Sequence, residues 1–292
     1  MKVLITGSSG FFGTTIERGF GSHSVFTLNR SKGDFHCDLS QSVPNFTIGF
    51  DIVIHNAGKA HSFLRSETEK NSFYQVNVQG TKNLIQGLEK LIPKQLVFIS
   101  SVSVYGLECG ENIDEDTLLN ANDSYGRSKL LAEQIVEDWC IKNNVLCTIL
   151  RLPLLVGKNP PGNLGTMLKG IKNGFFFNIG NGNARKSMVL AEDVAQFIPI
   201  IAQVGGVYNL TDGVHPSFFD LSNALAKKKV RVMPLFAAKF AGFIGDYLGE
   251  KAIINSRKIR IMISSLTFND SKAREFGWKP RPVLEFLETN EL

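Results

Sequence analysis

Short, mostly apolar runs alternate with longer stretches of mixed polarity along the first two thirds of the chain. The apolar runs cover residues 2–6, 24–28, 51–58, 96–99, 146–150 and 207–210. Runs of this length without polar alternation predict strands that are buried on both faces of a parallel sheet. The stretches between them, such as residues 14–20 and 74–87, predict helices. Strands that alternate with helices predict an α/β fold with a doubly wound parallel sheet.

The composition changes after residue 157. Residues 158–164 are rich in proline, glycine and asparagine and predict a loop, and the chain from residue 218 onward predicts helices. Residues 232–248 are the most apolar stretch of this part, but a proline, a lysine and an aspartate interrupt them, so we expect a packed helix and no membrane span. The two expected domains are residues 1–157 plus 187–212, and a smaller, mostly C-terminal substrate domain of residues 158–186 plus 213–292.

Composition and charge point to an ordinary globular protein. The chain of 292 residues is 43% hydrophobic and 20% charged, with a net charge of +5. Its only basic run, residues 227–229, has no interleaved aromatic side chains, so we interpret it as a solvated helix end and expect no nucleic-acid partner. The four cysteines lack C-x-x-C spacing and nearby histidines, which predicts reduced thiols in a cytoplasmic protein and no metal site. The apolar start is too short and too glycine-rich for a secretion signal.

A glycine-rich turn joins the first predicted strand to the first predicted helix. Glycine at such a turn lets backbone N–H groups and the start of the helix approach a pyrophosphate without a clash of Cβ atoms. Between a strand and a helix, this pattern predicts a dinucleotide-binding Rossmann domain. The residues that we expect to bind the cofactor here are Gly7, Ser9, Gly10, Phe11, Phe12 and Gly13.

The end of the second predicted strand favours NADP over NAD. NAD sites usually place an acid here to hold the ribose hydroxyls, whereas NADP sites use an arginine for the 2′-phosphate. The residues at this position are Asn29 and Arg30, so the acid is absent and an arginine is present. We therefore expect NADP or NAD as the cofactor, with NADP favoured. The alternative is that Arg30 only lies in solvent at the strand end.

Further cofactor contacts are expected at the carboxyl ends of the next strands, because a cofactor on a doubly wound sheet lies across those ends. The residues expected there are Asp38 and Leu39 beside the adenine, then Asn56, Ala57 and Gly58. Asn77, near the start of the predicted helix at residues 74–87, is also expected to contact the cofactor. His55 stands at the same strand end. We interpret it as a packing residue with satisfied hydrogen bonds rather than as a catalytic group.

Two groups of polar side chains predict chemistry. Tyr125 and Lys129 stand four residues apart on a predicted helix and therefore share one of its faces. A lysine charge beside a phenol favours the phenolate, which brings this acid–base group toward working pH. Ser100, Ser101 and Ser103 follow a central strand, at the sheet edge where this architecture places chemistry.

These motifs together resemble the extended short-chain dehydrogenase/reductases, and among them the NAD(P)-dependent nucleotide-sugar epimerase/dehydratase group. The matching segments are T-G-x-x-G-F-x-G at residues 6–13, H-x-A-G at 55–58, V-N-V-x-G-T at 76–81, S-S-x-S-V-Y-G at 100–106 and Y-x-x-x-K at 125–129. They occur in the family's order, and their joint spacing is specific for the superfamily and less specific for the reaction.

The resemblance implies catalytic roles for three residues. Ser101 would hydrogen-bond the reacting oxygen of the sugar, and Tyr125 would exchange a proton with that oxygen. Lys129 would hold the nicotinamide ribose and favour the phenolate of Tyr125. Ser103 is expected beside the substrate, and Pro153, after the strand that follows, beside the cofactor.

The resemblance also implies where the rest of the substrate binds. Asn163 would lie beside the pyrophosphate and the base of a nucleotide sugar. The family's diphosphate-binding arginine falls on Lys186, with Arg185 next to it, and either residue could serve. Leu190 departs from the family, because many relatives have histidine at this position. A homodimer formed through two helices per subunit is expected by the same analogy.

The reaction is narrowed by the residues after the catalytic serine. Dehydratases of the group carry Asp-Glu there, whereas this chain has Val102 and Ser103, which cannot supply the extra acid and base. The favoured reaction is reduction of a UDP-4-keto-6-deoxy(-N-acetyl)hexose at C4, since Arg30 favours NADPH. The alternatives are an NAD-dependent UDP-hexose 4-epimerase and, more remotely, a non-catalytic dinucleotide sensor.

Overall fold

A seven-stranded, wholly parallel sheet forms the centre of the protein, in a computed structural model that describes residues 1–21, 23–60, 67–248 and 255–290. In spatial order its strands are β3 (Phe35–His36), β2 (Ser24–Asn29), β1 (Lys2–Thr6), β4 (Ile52–His55), β5 (Gln95–Ser101), β7 (Leu146–Leu152) and β11 (Gly206–Asn209). β2 and β3 lie on one side of β1, whereas β4, β5, β7 and β11 lie on the other side, so the strand order reverses at β1. In sheets of this kind, ligands bind in the crevice outside the carboxyl ends at that reversal.

Helices cover both faces of the sheet. On one face lie α1 (Gly13–Gly19) and α6 (Ala191–Ile201), and on the other lie α3 (Gly80–Leu88) and α4 (Ser124–Asn143). Successive residues of β1 alternate between the two cores: Val3 and Ile5 pack with α1 and α6, and Leu4 packs with α3 and α4. This two-sided burial explains the unbroken apolar runs and confirms the predicted doubly wound fold.

The segment before α3 differs from the predicted continuous helix. α2 (Glu67–Phe73) continues into a turn of π-helix at Tyr74–Gln79 and only then into α3. Turns of π-helix are rare and often mark functional sites. Here the turn contains Asn77, whose side chain is 2% exposed.

The remaining elements are short strands and helices outside the central sheet. Within the described residues, three pairs of short parallel strands are found: β6 (Gly110–Ile113) with β13 (Leu266–Phe268), β8 (Leu154–Val156) with β10 (Met188–Leu190), and β9 (Asn178–Ile179) with β12 (Val232–Met233). The helices are α5 (Gly162–Lys172), α7 (Phe218–Ala226), α8 (Leu235–Leu248), α9 (Ser256–Ile263), α10 (Ser271–Glu275) and α11 (Val283–Thr289). The prediction of helices after residue 218 therefore missed β12 and β13. The proposed domain boundaries stay a prediction.

The apolar stretch at residues 232–248 is not one helix. β12 ends at Met233, and α8 begins at Leu235, directly after Pro234. The expected packed helix is packed on one side only, because most of its large apolar side chains are exposed. Among the described residues, no helix is long and apolar enough to cross a membrane.

Candidate active site

Ser101 is the last residue of β5 and the first group of the candidate site. Its extended backbone ends the strand, and its Oγ accepts a hydrogen bond from the backbone N of Ser103 at 3.2 Å, which caps a short 3₁₀ turn at Val102–Tyr105. The same Oγ donates to the Oγ of Ser103 at 3.2 Å. The turn therefore fixes the Ser101 hydroxyl at the carboxyl edge of the sheet.

Tyr125 lies in the first turn of α4, which the preceding loop holds in place. Asp123 caps the helix, because its Oδ1 accepts from the backbone N of Tyr125 and of Gly126, each at 3.0 Å. A Cβ at Gly126 would lie 2.5 Å from the backbone O of Ser103, so only glycine lets the start of α4 approach the turn after β5 this closely. This contact brings the phenol of Tyr125 to the Ser101 hydroxyl.

The electrostatics of Tyr125 differ from the sequence-based expectation of a phenolate. Burial raises the pKa of Tyr125 above its ordinary value of 10.0, and a hydrogen bond with Ser101 offsets only part of that rise. Its ring packs on Phe73, with 5.7 Å between centroids. In this structure Tyr125 is therefore a neutral phenol that can donate a proton.

Lys129 is buried one helical turn beyond Tyr125. Its Nζ donates to the backbone O of Ile99 at 2.8 Å and lies 4.8 Å from the centre of the Phe98 ring, so the ammonium group is held at the end of β5. Burial lowers the pKa of Lys129 from 10.5 to about 8, and the charge of Glu133 opposes that shift. A lysine kept in such a place, at a cost to stability, is typical of a functional site.

Asn77 connects three parts of the site, a link that the sequence did not predict. Its Nδ2 donates to the backbone O of Lys59 at 3.0 Å and to the Oγ of Ser128 at 2.8 Å, and its Oδ1 accepts from the backbone N of Lys59 at 2.7 Å. Ser128 in turn donates to the backbone O of Tyr125 at 2.7 Å. Asn77 therefore ties the loop after β4 to the first turn of α4, and its contact with a cofactor stays a prediction.

The glycine-rich turn folds tightly between β1 and α1. Gly7 has a φ of +68°, which favours glycine, and a Cβ there would lie 2.8 Å from the Cα of Ala57. A Cβ at Gly13 would lie 2.2 Å from the backbone O of Gly7. Around them lie Ser9, Gly10 and Phe11 at the surface or partly exposed, and Phe12 buried. A backbone without side chains at this sheet edge fits the close approach of a pyrophosphate.

The end of β2 has two neighbouring residues with different environments. Asn29 is buried: its Oδ1 accepts from the backbone N of Ser9 at 3.1 Å, and its Nδ2 donates to the Oγ of Ser8 at 2.7 Å, so it holds the glycine-rich turn. Arg30 is exposed, and the described residues offer it no hydrogen bond or ion pair. The guanidinium of Arg30 is therefore available to an anionic ligand, whereas the amide of Asn29 is already in use.

The remaining predicted cofactor residues lie along the same sheet edge. Asp38 caps its own turn by accepting from the backbone N of Ser40 at 3.0 Å, and the backbone O of Leu39 accepts from the Nδ2 of Asn83 at 2.7 Å. At the end of β4, Asn56 donates to the backbone O of Gly7 at 3.1 Å, and the backbone N of Ala57 donates to Thr6 at 3.0 Å.

Gly58 and Pro153, which were also predicted to contact the cofactor, lie near these strand ends. Gly58 is close to Lys129, because a Cβ at Gly58 would lie 3.2 Å from the Nζ of Lys129. Pro153 separates β7 from β8.

His55 is a packing residue, as the sequence indicated. Its Nδ1 is 2.9 Å from the Oγ1 of Thr6, and its Nε2 is 2.9 Å from the Oγ1 of Thr81. Burial lowers the pKa of His55 to about 3, with a smaller contribution from the charge of Lys129. The ring is therefore neutral, and both of its nitrogens have partners.

A buried ion pair behind the site was missed by the sequence analysis. The guanidinium of Arg151 donates to both carboxylate oxygens of Glu133, at 3.2 Å from Nε to Oε1 and 2.9 Å from Nη2 to Oε2. Ser100 also donates to Glu133, and Arg151 donates to the phenol of Tyr105 at 3.1 Å. This pair locks α4 to β5 and β7, and so fixes the helix that carries Tyr125 and Lys129.

The predicted diphosphate-binding residues lie outside this cluster. Asn163 is exposed in the first turn of α5. The guanidinium of Arg185 donates to the backbone O of His215 at 3.0 Å and of Val214 at 3.1 Å. Lys186 is partly buried, and burial lowers its pKa. The guanidinium of Arg185 already has hydrogen-bond partners in the chain. Of these two cationic side chains, Lys186 is therefore the more available to a diphosphate.

Comparison with known proteins decides the family. The sequence profile of the NAD dependent epimerase/dehydratase family matches residues 3–211. The chain belongs to this family. A UDP-glucose 4-epimerase of Dictyostelium discoideum is 32% identical over 328 residues, which cover 95% of this chain and 91% of that protein. A protein of Escherichia coli O157:H7, named N-acetyl-alpha-D-glucosaminyl-diphospho-ditrans,octacis-undecaprenol 4-epimerase, is 28% identical over 302 residues and covers 95% and 90%.

Several solved structures share the fold of this chain. The UDP-Glc/GlcNAc 4-epimerase of Campylobacter jejuni superposes with a TM-score of 0.75 at 20% identity, covering 98% of this chain and 96% of that one. The UDP-glucose 4-epimerase of Thermus thermophilus, in complex with NAD, gives 0.74 at 19% identity and covers 99% and 97%. RMD from Pseudomonas aeruginosa, complexed with NADPH, gives 0.71 at 20% and covers 99% and 97%. The predicted cofactor class, NAD or NADP, is confirmed for the family.

Proposed function

We propose that this protein is an NAD(P)-dependent oxidoreductase that acts at C4 of a sugar carried on a diphosphate, with nucleotide sugars as the substrate class. The observation that supports this proposal is the convergence of the Ser101 hydroxyl, the Tyr125 phenol and the Lys129 ammonium group at the carboxyl end of β5. The glycine-rich turn lies on the same sheet edge and has the bare backbone that a dinucleotide needs. When bound, the nicotinamide exchanges a hydride with the sugar carbon.

The chain's own residues move the proton. Ser101 hydrogen-bonds the C4 oxygen of the sugar, and Tyr125 donates a proton to that oxygen as the carbonyl becomes a hydroxyl. The raised pKa of Tyr125 keeps the phenol protonated near neutral pH, which is the form that this step consumes. Lys129 contributes a positive charge at the end of β5. The proposal assigns to this ammonium group the task of holding the ribose of the cofactor.

Reduction of a 4-keto sugar is the reaction that these residues favour. A net reduction consumes one NADPH for each sugar, whereas an epimerase recycles one bound NAD. Arg30 is exposed at the end of β2, no acid stands beside it, and a 2′-phosphate is the ligand that an arginine at this position recognises. The proton-donor form of Tyr125 supports the same direction of reaction.

Epimerisation at C4 is the second candidate, and the names of the relatives favour it. The relatives of Dictyostelium discoideum and Escherichia coli are both 4-epimerases. The latter is named for a sugar whose diphosphate is joined to undecaprenol instead of a nucleoside. The carrier of the diphosphate is therefore a separate question from the chemistry at C4.

The first experiment identifies the nucleotide that the purified protein releases on denaturation, by mass spectrometry. Loss of NADPH absorbance with UDP-4-keto-6-deoxy sugars is then measured for the wild type and for Tyr125→Phe. NADP in the protein, or no nucleotide, together with NADPH consumption that depends on Tyr125, supports the reductase. Stoichiometric NAD with interconversion of two UDP-hexoses supports the epimerase instead.

The matched control is Tyr247→Phe, which makes the same chemical change on an exposed side chain of α8. Nucleotide binding without turnover of any 4-keto sugar or UDP-hexose would contradict both reactions and leave the sensor.

A further inference from the structure

α8 presents its large side chains to solvent and its small ones to the protein. Phe236, Phe240, Phe243 and Tyr247 are 77%, 67%, 70% and 92% exposed. Their spacing of four, three and four residues places all four rings on one face of the helix. We call this face, residues Phe236, Phe240, Phe243 and Tyr247, the aromatic stripe.

The opposite face of α8 fixes the direction in which the stripe points. Ala238, Gly242 and Gly245 are its buried residues. A Cβ at Gly242 would lie 2.5 Å from the Cδ1 of Ile259 and 3.2 Å from the backbone of Ser256, so α9 packs directly on the helix backbone. Since a large side chain has no room on that face, rotation of α8 cannot bury the stripe.

Positive charge is concentrated in the segment of the chain that contains α8. Residues 227–263 contain nine lysines and arginines and two acids, a net charge of +7. The rest of the chain contains 23 basic and 25 acidic residues and has a net charge of −2. Lys239 lies on α8 beside the stripe and is exposed. Two of the other cations, Arg257 and Arg260, pair with Glu108 at 2.7 and 3.9 Å. A short helix with an aromatic face in a basic segment of the chain matches the chemistry of an anionic membrane surface.

α8 is also joined to the predicted diphosphate-binding segment. The backbone N of Gly180 donates to the backbone O of Met233 at 2.9 Å, just before α8 begins. Ile179 packs in one cluster with Ala238 of α8 and Ile259 of α9. The strand that leads to Arg185 and Lys186 therefore rests on the helix that carries the stripe.

We propose that the aromatic stripe seats the protein on an anionic membrane surface, where the active site takes sugar diphosphates that are carried on a membrane lipid. The proposal rests on the proposed function for the chemistry at C4 of a sugar diphosphate, and on the stripe and the positive charge of residues 227–263 for the docking. Aromatic rings enter the region of the lipid headgroups, and the basic side chains meet the anionic lipids. Without a membrane, the protein still reacts with a soluble nucleotide sugar.

Flotation with lipid vesicles tests the docking. The purified full-length protein is mixed with vesicles of phosphatidylcholine alone, or with phosphatidylglycerol added, at low and high salt. The variant is Phe240→Ser with Phe243→Ser, and the control is Phe175→Ser, which removes a ring that is 80% exposed outside α8. We expect binding to the anionic vesicles that salt weakens, a loss of about tenfold or more in the double variant, and no change in the control.

Three results would overturn the docking proposal. They are no binding of the wild type to anionic vesicles, an equal loss in Phe175→Ser, or a stripe that proves to join two copies of the chain. The last would appear as a dimer in light scattering that the double variant converts to a monomer, while vesicle binding is absent.

Activity measurements keep this proposal separate from the proposed function. Turnover of a soluble nucleotide sugar by the double variant should equal that of the wild type, whereas turnover of a polyprenyl-diphosphate sugar in vesicles should fall. Tyr125→Phe should still bind vesicles while turnover is lost. Docking without turnover of any sugar would contradict the function alone, and turnover without docking, or equal turnover of the lipid-linked sugar by both proteins, would contradict the membrane proposal alone.

Discussion

Around β5 and α4, charged side chains lie inside the protein and aromatic rings pack over them, whereas on α8 the aromatic rings lie outside and only small side chains face inward. Lys129 and Arg151 are each 5% exposed, and Glu133 is 1% exposed. Tyr247 on α8 is 92% exposed. Both regions therefore depart from the usual distribution, in which charged residues are exposed and large apolar residues are buried. The first region buries charges, and the second exposes aromatic rings.

The difference fits the roles that we propose for the two regions. Buried charges cost desolvation energy and persist only where partners satisfy them, as Glu133, Arg151 and Ser100 do for one another. Such a network holds the helix of Tyr125 and Lys129 in one position. An exposed aromatic face costs free energy in water and becomes favourable only in contact with another apolar phase. We propose that the first region serves the chemistry and the second a contact with a membrane.

The largest expected effect separates chemistry from contact. Tyr125→Phe should lower turnover by about 10²- to 10⁴-fold, because the phenylalanine has no proton to donate. NADPH binding, measured by fluorescence titration, should stay unchanged. Replacement of Phe240 on α8 should leave turnover of a soluble substrate intact. Equal losses in both variants would remove the distinction between the two regions.

Removal of one partner of the buried ion pair should produce a large loss of stability. Arg151→Met leaves the Glu133 carboxylate buried without its ion-pair partner, and we expect the free energy of unfolding to fall by about 3–5 kcal/mol. The control is Arg257→Met, which breaks a surface pair with Glu108 at 2.7 Å and should cost about 1 kcal/mol or less. Urea unfolding measures both. Similar costs for the two variants would show that burial does not distinguish these pairs.

The buried charge of Lys129 should lower the free energy of unfolding at neutral pH. Its pKa in the folded protein, about 8, lies below its value of 10.5 in the unfolded chain. Below pH 8 the lysine is charged in both states, so the loss of folding free energy caused by the buried charge is complete. Between pH 8 and pH 10.5 the lysine is neutral in the folded protein and still protonated in the unfolded chain, so this loss becomes smaller as the pH rises.

We expect Lys129→Met to be more stable than the wild type by about 3 kcal/mol at pH 7, because each unit of difference between the folded and unfolded pKa corresponds to about 1.4 kcal/mol. The difference should shrink steadily between pH 8 and pH 10.5. Urea unfolding at several pH values, with the exposed Lys142→Met as the control, measures it. A difference between wild type and Lys129→Met that is independent of pH would contradict the buried charge.

The smallest expected effect concerns an exposed charge of the dinucleotide half. Arg30→Ser should weaken NADPH binding by about ten- to a hundredfold, the value of a charge-assisted hydrogen bond, and should leave NADH binding unchanged. Arg18→Ser on α1 is the matched exposed control. Equal weakening of both cofactors, or of neither, would mean that Arg30 does not read the 2′-phosphate.

The sequence predicted those parts of the fold that depend on local pattern. Six of the seven strands of the sheet coincide with the mostly apolar runs, and the glycine-rich turn follows the first of them directly. The resemblance to the family implied that Ser101, Tyr125 and Lys129 act together, which fits the edge that the end of a central strand and the start of the following helix share in a parallel sheet. The predictions of the strands and of the turn needed no knowledge of distant contacts.

The parts that were missed depend on contacts between distant segments. The bond of Asn77 to Ser128 joins residues 51 positions apart, and Glu133 finds Arg151 only because α4 packs on β7. β12 and β13 are too short to show a periodicity. On α8 the helical spacing of the aromatic residues is visible in the sequence, but which face points inward depends on α9.

The most direct test of the account follows deuterium from labelled NADPH into the sugar. Wild-type protein is incubated with NADPH that carries deuterium at both hydrogen positions of C4 of the nicotinamide and with a UDP-4-keto-6-deoxy-N-acetylhexose, and the product is analysed by NMR and mass spectrometry. We predict one deuterium at C4 of the sugar with the wild type and with Tyr247→Phe, and incorporation that is about 10²- to 10⁴-fold slower with Tyr125→Phe. No incorporation by the wild type into a UDP-linked or lipid-linked 4-keto sugar, or unchanged incorporation by Tyr125→Phe, would contradict the proposed reaction.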